Sequence, residues 1–508
     1  MSQLEKESLG KIMLKSSSLV FFALIITRFF GFLFNSLLTK TITQEEYGIY
    51  TFSWSIAQLG VGIMLLGIPP ATAYYIAFNR GKGDLEKVKA YTKTGFILVI
   101  ILVSVSLFGL VLINRLLPNL FSLNRELVMF LLLMFMIHGT GFFFSLVING
   151  YRRPEVATIF AATTPIVSYL SLIILSYLGY GFYPILISIA ASLAIQYVLS
   201  AAYVVKNWGF GGKFQSKLVK SLVVFGIPLI FMDVSNGLLY SSGIYIIKYY
   251  NNFADVGIFW AASMITGAML IFPQAVISIF SPVVSELFGC GDRKKIEHLS
   301  SYIIERLLMF SLPLIAILML FPEGILKIVF TKDYSSGATL VQILSISTFL
   351  TGIYLFFVYI IINSGNPRQN SKIMFVGAVS NVIFNIILVK YYGITGAGFA
   401  SLISAAIILS ISFRWARQNV KIIIYRDRTL KIIVSLALVL PFIYGIKILF
   451  TNLILAFILS FVVLITIYFT VLFLLKTFRE EDEVMVKTVL GETKFSEFFI
   501  NKLRKGIS

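Results

Sequence analysis

Long apolar runs alternate with short polar breaks along the chain, and that pattern predicts membrane-spanning helices. A helix needs about 20 mostly apolar residues to cross the hydrocarbon of a bilayer, and fourteen such runs occur. The first six lie near residues 15–38, 49–78, 94–114, 127–149, 157–178 and 182–205. After a basic linker, 207–220, six more lie near 221–247, 257–285, 303–322, 338–363, 373–392 and 396–413. Two further runs lie near 430–449 and 453–475, ahead of a tail over 477–508 that mixes charge with Phe495, Phe498, Phe499 and Ile500. That tail reads either as a short amphipathic surface helix or as a solvated end. Pro313 makes 303–322 the weakest run. The expected fold is an all-α integral membrane protein of about 14 transmembrane helices.

The breaks repeat. Glu45-Glu46-Tyr47-Gly48-Ile49-Tyr50 opens the second run, and Ala254-Asp255-Val256-Gly257-Ile258-Phe259 opens the eighth, 209 positions later. Gly81-Lys82-Gly83-Asp84 closes the second, and Gly289-Cys290-Gly291-Asp292 closes the eighth at an offset of 208. Asn149-Gly150 before Pro154 is matched by Asn363-Ser364-Gly365 before Pro367. Three weak matches in order, at nearly constant spacing, indicate an internal repeat. Each offset contains an even number of runs, so the halves are parallel. The expected organisation is an N-lobe over 1–206, a C-lobe over 221–415 and two extra helices within 416–476. A parallel repeat of this kind places a substrate path between its halves near the midplane.

Composition narrows the class. Of 508 residues, 58% are hydrophobic and 13% charged, against about 25% charged in soluble domains. The formal net charge is +19, from 42 Lys and Arg against 23 Asp and Glu. Such an excess raises nucleic acid as a partner, but the basic residues sit in the breaks. With the N-terminus in the cytoplasm, 33 of the 42 fall in cytoplasmic segments and eight in external ones. This is the bias that orients membrane proteins. Both termini are therefore expected in the cytoplasm of a multi-pass cell-membrane protein, with membrane lipid rather than nucleic acid as the charged partner. The single cysteine, Cys290, excludes a disulfide framework. His138 and His298 are too far apart in sequence to suggest a metal site, and no metal is expected. The first run is too long for the core of a cleavable signal.

Two charges remain deep inside runs, Arg28 in the first and Asp233 in the seventh. A charge in hydrocarbon costs about 2.5–3.5 kcal/mol on insertion scales, so such residues face a wet cavity or a partner. Arg28, Gly31 and Asn35 share one helical face, as do Asp233, Asn236 and Tyr240. Gln58 and Gln274 are further candidates to line a cavity. A guanidinium matches phosphate oxygens with a planar donor fork and stays charged at any relevant pH. Two readings of Arg28 stand side by side: a clamp for the phosphate of a lipid-linked substrate, or a structural ion pair with Asp233. Asp233 also suits a coupling ion, H+ or Na+. His138 reads as a packed, hydrogen-bonded histidine. Pro69-Pro70, Pro228, Pro273 and Pro282 mark helix kinks. No catalytic constellation, phosphate-binding loop or extramembrane domain is evident, so neither an enzyme nor a bound cofactor is expected.

The segments Ile26-Thr27-Arg28-Phe29-Phe30-Gly31-Phe32, Glu46-Tyr47-Gly48-Ile49-Tyr50 and Gly67-Ile68-Pro69-Pro70-Ala71 carry a resemblance. Phe225-Gly226-Ile227-Pro228-Leu229, Ser281-Pro282-Val283 and Gly393-Ile394-Thr395-Gly396-Ala397 extend it to residue 415. Together they resemble polysaccharide-transport flippases of the multidrug/oligosaccharidyl-lipid/polysaccharide exporter superfamily. The resemblance implies a two-lobed bundle that moves a polyprenyl-(pyro)phosphate-linked oligosaccharide from the cytoplasmic to the external leaflet by alternating access. It implies a cationic cavity in which Arg28 matches the first-helix arginine, and other glycan-assembly enzymes as partners. The chain departs from the pattern near the end of the seventh helix, where uncharged Ser241-Ser242-Gly243-Ile244-Tyr245 stands. A cation-coupled drug exporter of the same superfamily and a membrane glycosyl polymerase are the alternatives. The short external loops weigh against the polymerase.

Overall fold

The computed structural model of the protein describes residues 3–116, 125–420, 425–479 and 482. Among these, every regular element is helical. The chain divides into two compact units, residues 19–257 and residues 258–508, with 1–18 grouped with the latter. The first unit holds α1 (Gln3–Thr41), α2 (Gln44–Met64), α3 (Ile68–Gly81), α4 (Leu85–Leu116), α5 (Arg125–Gly150), α6 (Pro154–Tyr177), α7 (Phe182–Trp208) and α8 (Ser216–Tyr250). The boundary falls within α9 (Phe253–Gly267). The second unit continues with α10 (Ile271–Cys290), α11 (Arg293–Leu320), the short α12 (Pro322–Val329), α13 (Ala338–Asn363), α14 (Pro367–Asn419), α15 (Arg426–Leu449) and α16 (Leu453–Leu474).

Twelve of the helical stretches are long and apolar enough to cross a membrane, or thirteen when the bent pair α2 and α3 counts as one span. Large apolar side chains point outward from them, Phe108 at 70% and Leu474 at 72% exposure. Water would not tolerate such a surface, and hydrocarbon does. The chain is a multi-pass membrane protein.

Two breaks shape the spans. The second expected run, 49–78, is bent by 54° between α2 and α3. The break falls at Leu66 and Gly67, both with positive φ, just before Pro69-Pro70. The prolines thus sit in the first turn of α3, where a helix needs no N–H donor. At Gly67 the backbone of α8 passes so close that a Cβ would stand 2.3 Å from the carbonyl oxygen of Gly226. The second break is Gly393, φ 56° and ψ −138°, inside the 53-residue α14. Residues 388 and 396 would lie about 12 Å apart in a continuous helix. Here a Cβ on Gly396 would stand 2.1 Å from the Leu388 carbonyl oxygen, so the chain turns sharply between two arms.

The first unit is organised by an antiparallel seam between α2 and α8. Phe52 meets Tyr245 edge-on with ring centroids 5.9 Å apart. A Cβ on Gly237 would stand 2.6 Å from Leu59, and one on Gly62 would stand 3.9 Å from Cβ of Asp233. Lipid tails are as apolar as leucine, so helices in a bilayer gain from close backbone approach rather than from hydrophobicity, and glycine permits it. In the second unit Val276, Ile303, Leu307, Phe357 and Ala416 form a buried core among α10, α11, α13 and α14. The weak ninth run is a full helix, since α11 continues through Pro313. Proline cannot supply the N–H that the Met309 carbonyl would accept. The Tyr468 hydroxyl of α16 donates to that carbonyl instead, at 2.8 Å.

Candidate functional site

Arg28 projects from the middle of the apolar part of α1, beside exposed Ile25, Ile26 and Phe29. Its helix is tied to α2 one end further along. The Tyr47 hydroxyl donates to Oδ1 of Asn35 at 2.9 Å, and Phe34 meets Tyr50 with centroids 6.3 Å apart. The Asn35 amide donates in turn to the Gly31 carbonyl at 2.8 Å. Asn35 is thus engaged on the face it shares with Arg28, and orients that face toward α2. A Cβ on Gly31, between them, would meet nothing within 4 Å. Arg28 therefore stands two turns from the Asn35–Tyr47 contact on a face that opens beyond it.

On α2 the residues Tyr47, Thr51, Trp54 and Gln58 recur at helical spacing, so Gln58 shares the face that meets α1. Gln58 is exposed, and one turn on is Gly62, against which Asp233 of α8 rests. Asp233, Asn236 and Tyr240 are all exposed, at the i, i+3 and i+7 positions that align them on α8. Six of the seven expected site residues thus belong to the first unit, on α1, α2 and α8. Gln274 stands apart, exposed on α10 of the second unit.

Arg28 and Asp233 do not pair. Among the described residues neither makes an ion pair or a hydrogen bond. The structural reading of Arg28, a salt bridge to Asp233, is absent from this structure. A guanidinium left bare on an apolar helix keeps its whole donor fork for an anion. His138 on α5, by contrast, is engaged by the Tyr197 hydroxyl on α7, while Thr164–Gln196 and Ser168–Ser192, each 2.6 Å, join α6 to α7.

Arg28 and Asp233 are not the only charges within the apolar helices. Glu305 and Arg306 are buried in α11, 2% and 1% exposed. They pair with Arg479 and Asp482, which follow α16. The adjacent acid and base at the start of the expected 303–322 run were the available signal. Arg479 and Asp482 also correct the solvated-end reading of the tail for these two positions. Residues 480, 481 and 483–508 of it lie outside the described residues. Among the described residues no group of three or more His, Cys, Asp or Glu is placed to hold a metal ion.

A polytopic helical bundle defines the class of multi-pass membrane proteins, and comparison with known proteins agrees. The family model described as polysaccharide biosynthesis protein matches residues 13–288, and the MatE model matches 219–387. The chain belongs to the polysaccharide biosynthesis protein family. It is 29% identical over 279 residues to an uncharacterized membrane protein, MJ1068, of Methanocaldococcus jannaschii, covering 51% of this chain and 53% of that one. It is 24% identical over 240 residues to a probable low-salt glycan biosynthesis flippase, Agl15, of Haloferax volcanii, covering 46% and 51%. The chain thus spans about half the length of the curated relatives it matches. Among solved structures, the lipid II flippase MurJ in an inward closed conformation superposes with a TM-score of 0.71 at 17% identity, over 89% of this chain and 97% of that one. An inward-facing multidrug resistance MATE transporter of the MOP superfamily gives 0.65 at 17%, over 79% and 98%. The all-helical transporter fold expected from the sequence is the fold observed.

Proposed function

We propose that the protein is a flippase that carries a polyprenyl-(pyro)phosphate-linked oligosaccharide from the cytoplasmic to the external leaflet of the cell membrane, by alternating access and without covalent chemistry. The observation that carries this reading is Arg28, exposed within an apolar helix and without a partner among the described residues. Its guanidinium grips the phosphate bidentately, a geometry that lysine lacks. Gln58, Asn236 and Tyr240 offer neutral donors and acceptors to sugar hydroxyls. The kinship with a glycan biosynthesis flippase and the fold of a lipid II flippase support the substrate class. The topology that goes with it has fourteen spans, counting α2 with α3 as one and the two arms of α14 separately, in two parallel lobes with both termini cytoplasmic.

A second reading, a cation-coupled small-molecule exporter with Asp233 as the coupling carboxylate, draws on the MatE match, which includes that residue. The two are separated by reconstituting the protein in vesicles and following a lipid-linked oligosaccharide between leaflets. We expect Arg28→Ala to slow flipping about 10- to 100-fold, the worth of a charge-assisted contact of ~1.5–3 kcal/mol. Arg28→Lys is expected to fall between. Undiminished flipping by Arg28→Ala sinks the phosphate clamp. Efflux of a small cation that depends on Asp233, with no lipid flipping at all, replaces the flippase by the exporter.

A further inference from the structure

The four buried charges of the second unit are arranged reciprocally. Nη2 of Arg479 stands 2.8 Å from each carboxylate oxygen of Glu305. Nε of Arg306 stands 2.8 Å from Oδ1 of Asp482, and the Tyr302 hydroxyl donates to the same oxygen at 2.6 Å. Arg306 also donates through Nη2 to the Thr477 carbonyl at 3.2 Å, and the Arg479 backbone N–H donates to Oδ2 of Asp482 at 2.7 Å. The α11 side supplies one acid and one base, and so does the segment that follows α16. Sliding that segment by a residue leaves two charges buried without partners, which a protein interior does not tolerate. The register is therefore unique.

What this arrangement holds in place is the α15–α16 hairpin. Its outer faces carry exposed Leu438, Phe442, Ile458 and Val462, as suits contact with lipid. In a bilayer such a hairpin gains little by leaving lipid for another apolar helix, so docking needs packing and polar contacts. Polar ties to α11 exist on its inner side: Tyr468 to the proline-freed carbonyl of Met309, Arg428 of α15 at 4.0 Å from Glu305, and the ion-pair cluster itself. The cluster segment is itself bound to the hairpin. Nζ of Lys431 donates to the Leu475 carbonyl at 2.7 Å, and the Thr477 hydroxyl donates to the Leu472 carbonyl at 2.6 Å.

We propose that residues 476–479 and Asp482 form a latch that locks the α15–α16 hairpin onto α11 through the Glu305–Arg479 and Arg306–Asp482 pairs. The hairpin then moves with α11 as one body. The latch stands whatever the protein transports, and its test needs no substrate. The exposed Cys290 is first removed by Cys290→Ser, and Leu472→Cys places a reporter on the buried face of α16, one turn beyond Tyr468. Labelling by a water-soluble maleimide in membrane vesicles then reports undocking. The latched protein protects the reporter. Removing one partner by Glu305→Ala or Arg479→Ala is expected to raise the labelling rate roughly a hundredfold, through the opening equilibrium of the hairpin. The exchange Glu305→Arg with Arg479→Glu is expected to restore most of the protection. Arg479→Gln leaves α11 untouched and supplies the reading if an alanine variant fails to accumulate. Labelling unchanged in Arg479→Gln, or an exchanged pair that labels as fast as its single variants, overturns the latch.

Discussion

The two units treat charge inside apolar helices in opposite ways. In the first, Arg28 and Asp233 are exposed and, among the described residues, make no ion pair or hydrogen bond. In the second, Glu305, Arg306, Arg479 and Asp482 are buried and answered charge for charge. The residue types are the same, and the difference lies in what surrounds them. Charges that answer one another in the interior contribute register and docking. An unsaturated charge contributes nothing to the fold, and is retained at a cost of about 2.5–3.5 kcal/mol on insertion scales unless something else uses it. The first pattern is the one we propose as a binding site, and the second the one we propose as a fastening.

The largest expected effect separates these patterns by stability alone. Arg306→Ala strands the Asp482 carboxylate in the protein interior and is expected to lower stability by about 3–5 kcal/mol. Arg28→Ala removes a side chain that touches no partner, and is expected to stay within about 0.5 kcal/mol. Unfolding midpoints of the purified variants in one detergent measure both. Replacing the pair together, Arg306→Leu with Asp482→Leu, is expected to recover most of the loss, because apolar side chains of similar volume need no partners. If Arg28→Ala unfolds as readily as Arg306→Ala, Arg28 is a structural residue and the contrast is lost.

A smaller effect sharpens the fastening. Tyr468→Phe deletes the donor that meets the Met309 carbonyl in place of the Pro313 nitrogen. Leaving a buried carbonyl unsatisfied is expected to cost about 1–3 kcal/mol. Pro313→Ala returns an N–H to α11, so Tyr468→Phe on that background is expected to cost about 1 kcal/mol or less. Equal costs on both backgrounds, measured by the same midpoints, show that Tyr468 does not serve the proline gap.

Much of the fold is legible in the apolar runs, because a bilayer imposes one length and one backbone solution on every span. The break at Gly67 and the turn at Gly393 are legible too, since glycine with positive φ and a following proline end helices by local sterics. The stripe of Asp233, Asn236 and Tyr240 follows from helical period alone. What spacing leaves out is tertiary pairing. Nothing local to α11 says that Glu305 meets Arg479, 174 positions away, or that Tyr468 answers Pro313. The pairing of Asn35 with Tyr47 was equally out of reach, although both residues stand in segments that drew notice. The grouping of α8 with the first unit follows from glycine contacts at 62, 67, 226 and 237, which are a property of two surfaces and not of either sequence.

A third setting for charge, outside the membrane, yields the smallest effect. Asp84 caps α4, accepting from the Lys87 N–H at 3.0 Å while its other oxygen meets Nζ of Lys87 at 2.7 Å. Asp292, 208 positions later, caps α11 in the same way with Lys295, at 3.2 and 3.1 Å. The side-chain and backbone hydrogen bonds from Lys87 hold the Asp84 carboxyl below the ordinary carboxylate range. Those from the backbone and side chain of Lys295 do the same for Asp292. The same contact raises the Lys87 ammonium. A depressed acid stabilises the fold at pH above its unfolded value, about 3.9, and that share disappears as pH falls through the folded value. A raised lysine contributes fully below about 10.4 and loses its share as pH rises through the folded value. Both aspartates keep about a third of their side chain open to solvent, which screens these contacts. Asp84→Asn with Asp292→Asn keeps a capping oxygen at each helix and removes the charge. Thermal midpoints recorded against pH are expected to fall less steeply on the acid side in this variant than in the parent. Parallel profiles show that the two aspartates act as neutral caps, and that their repeat is one of helix geometry without electrostatics.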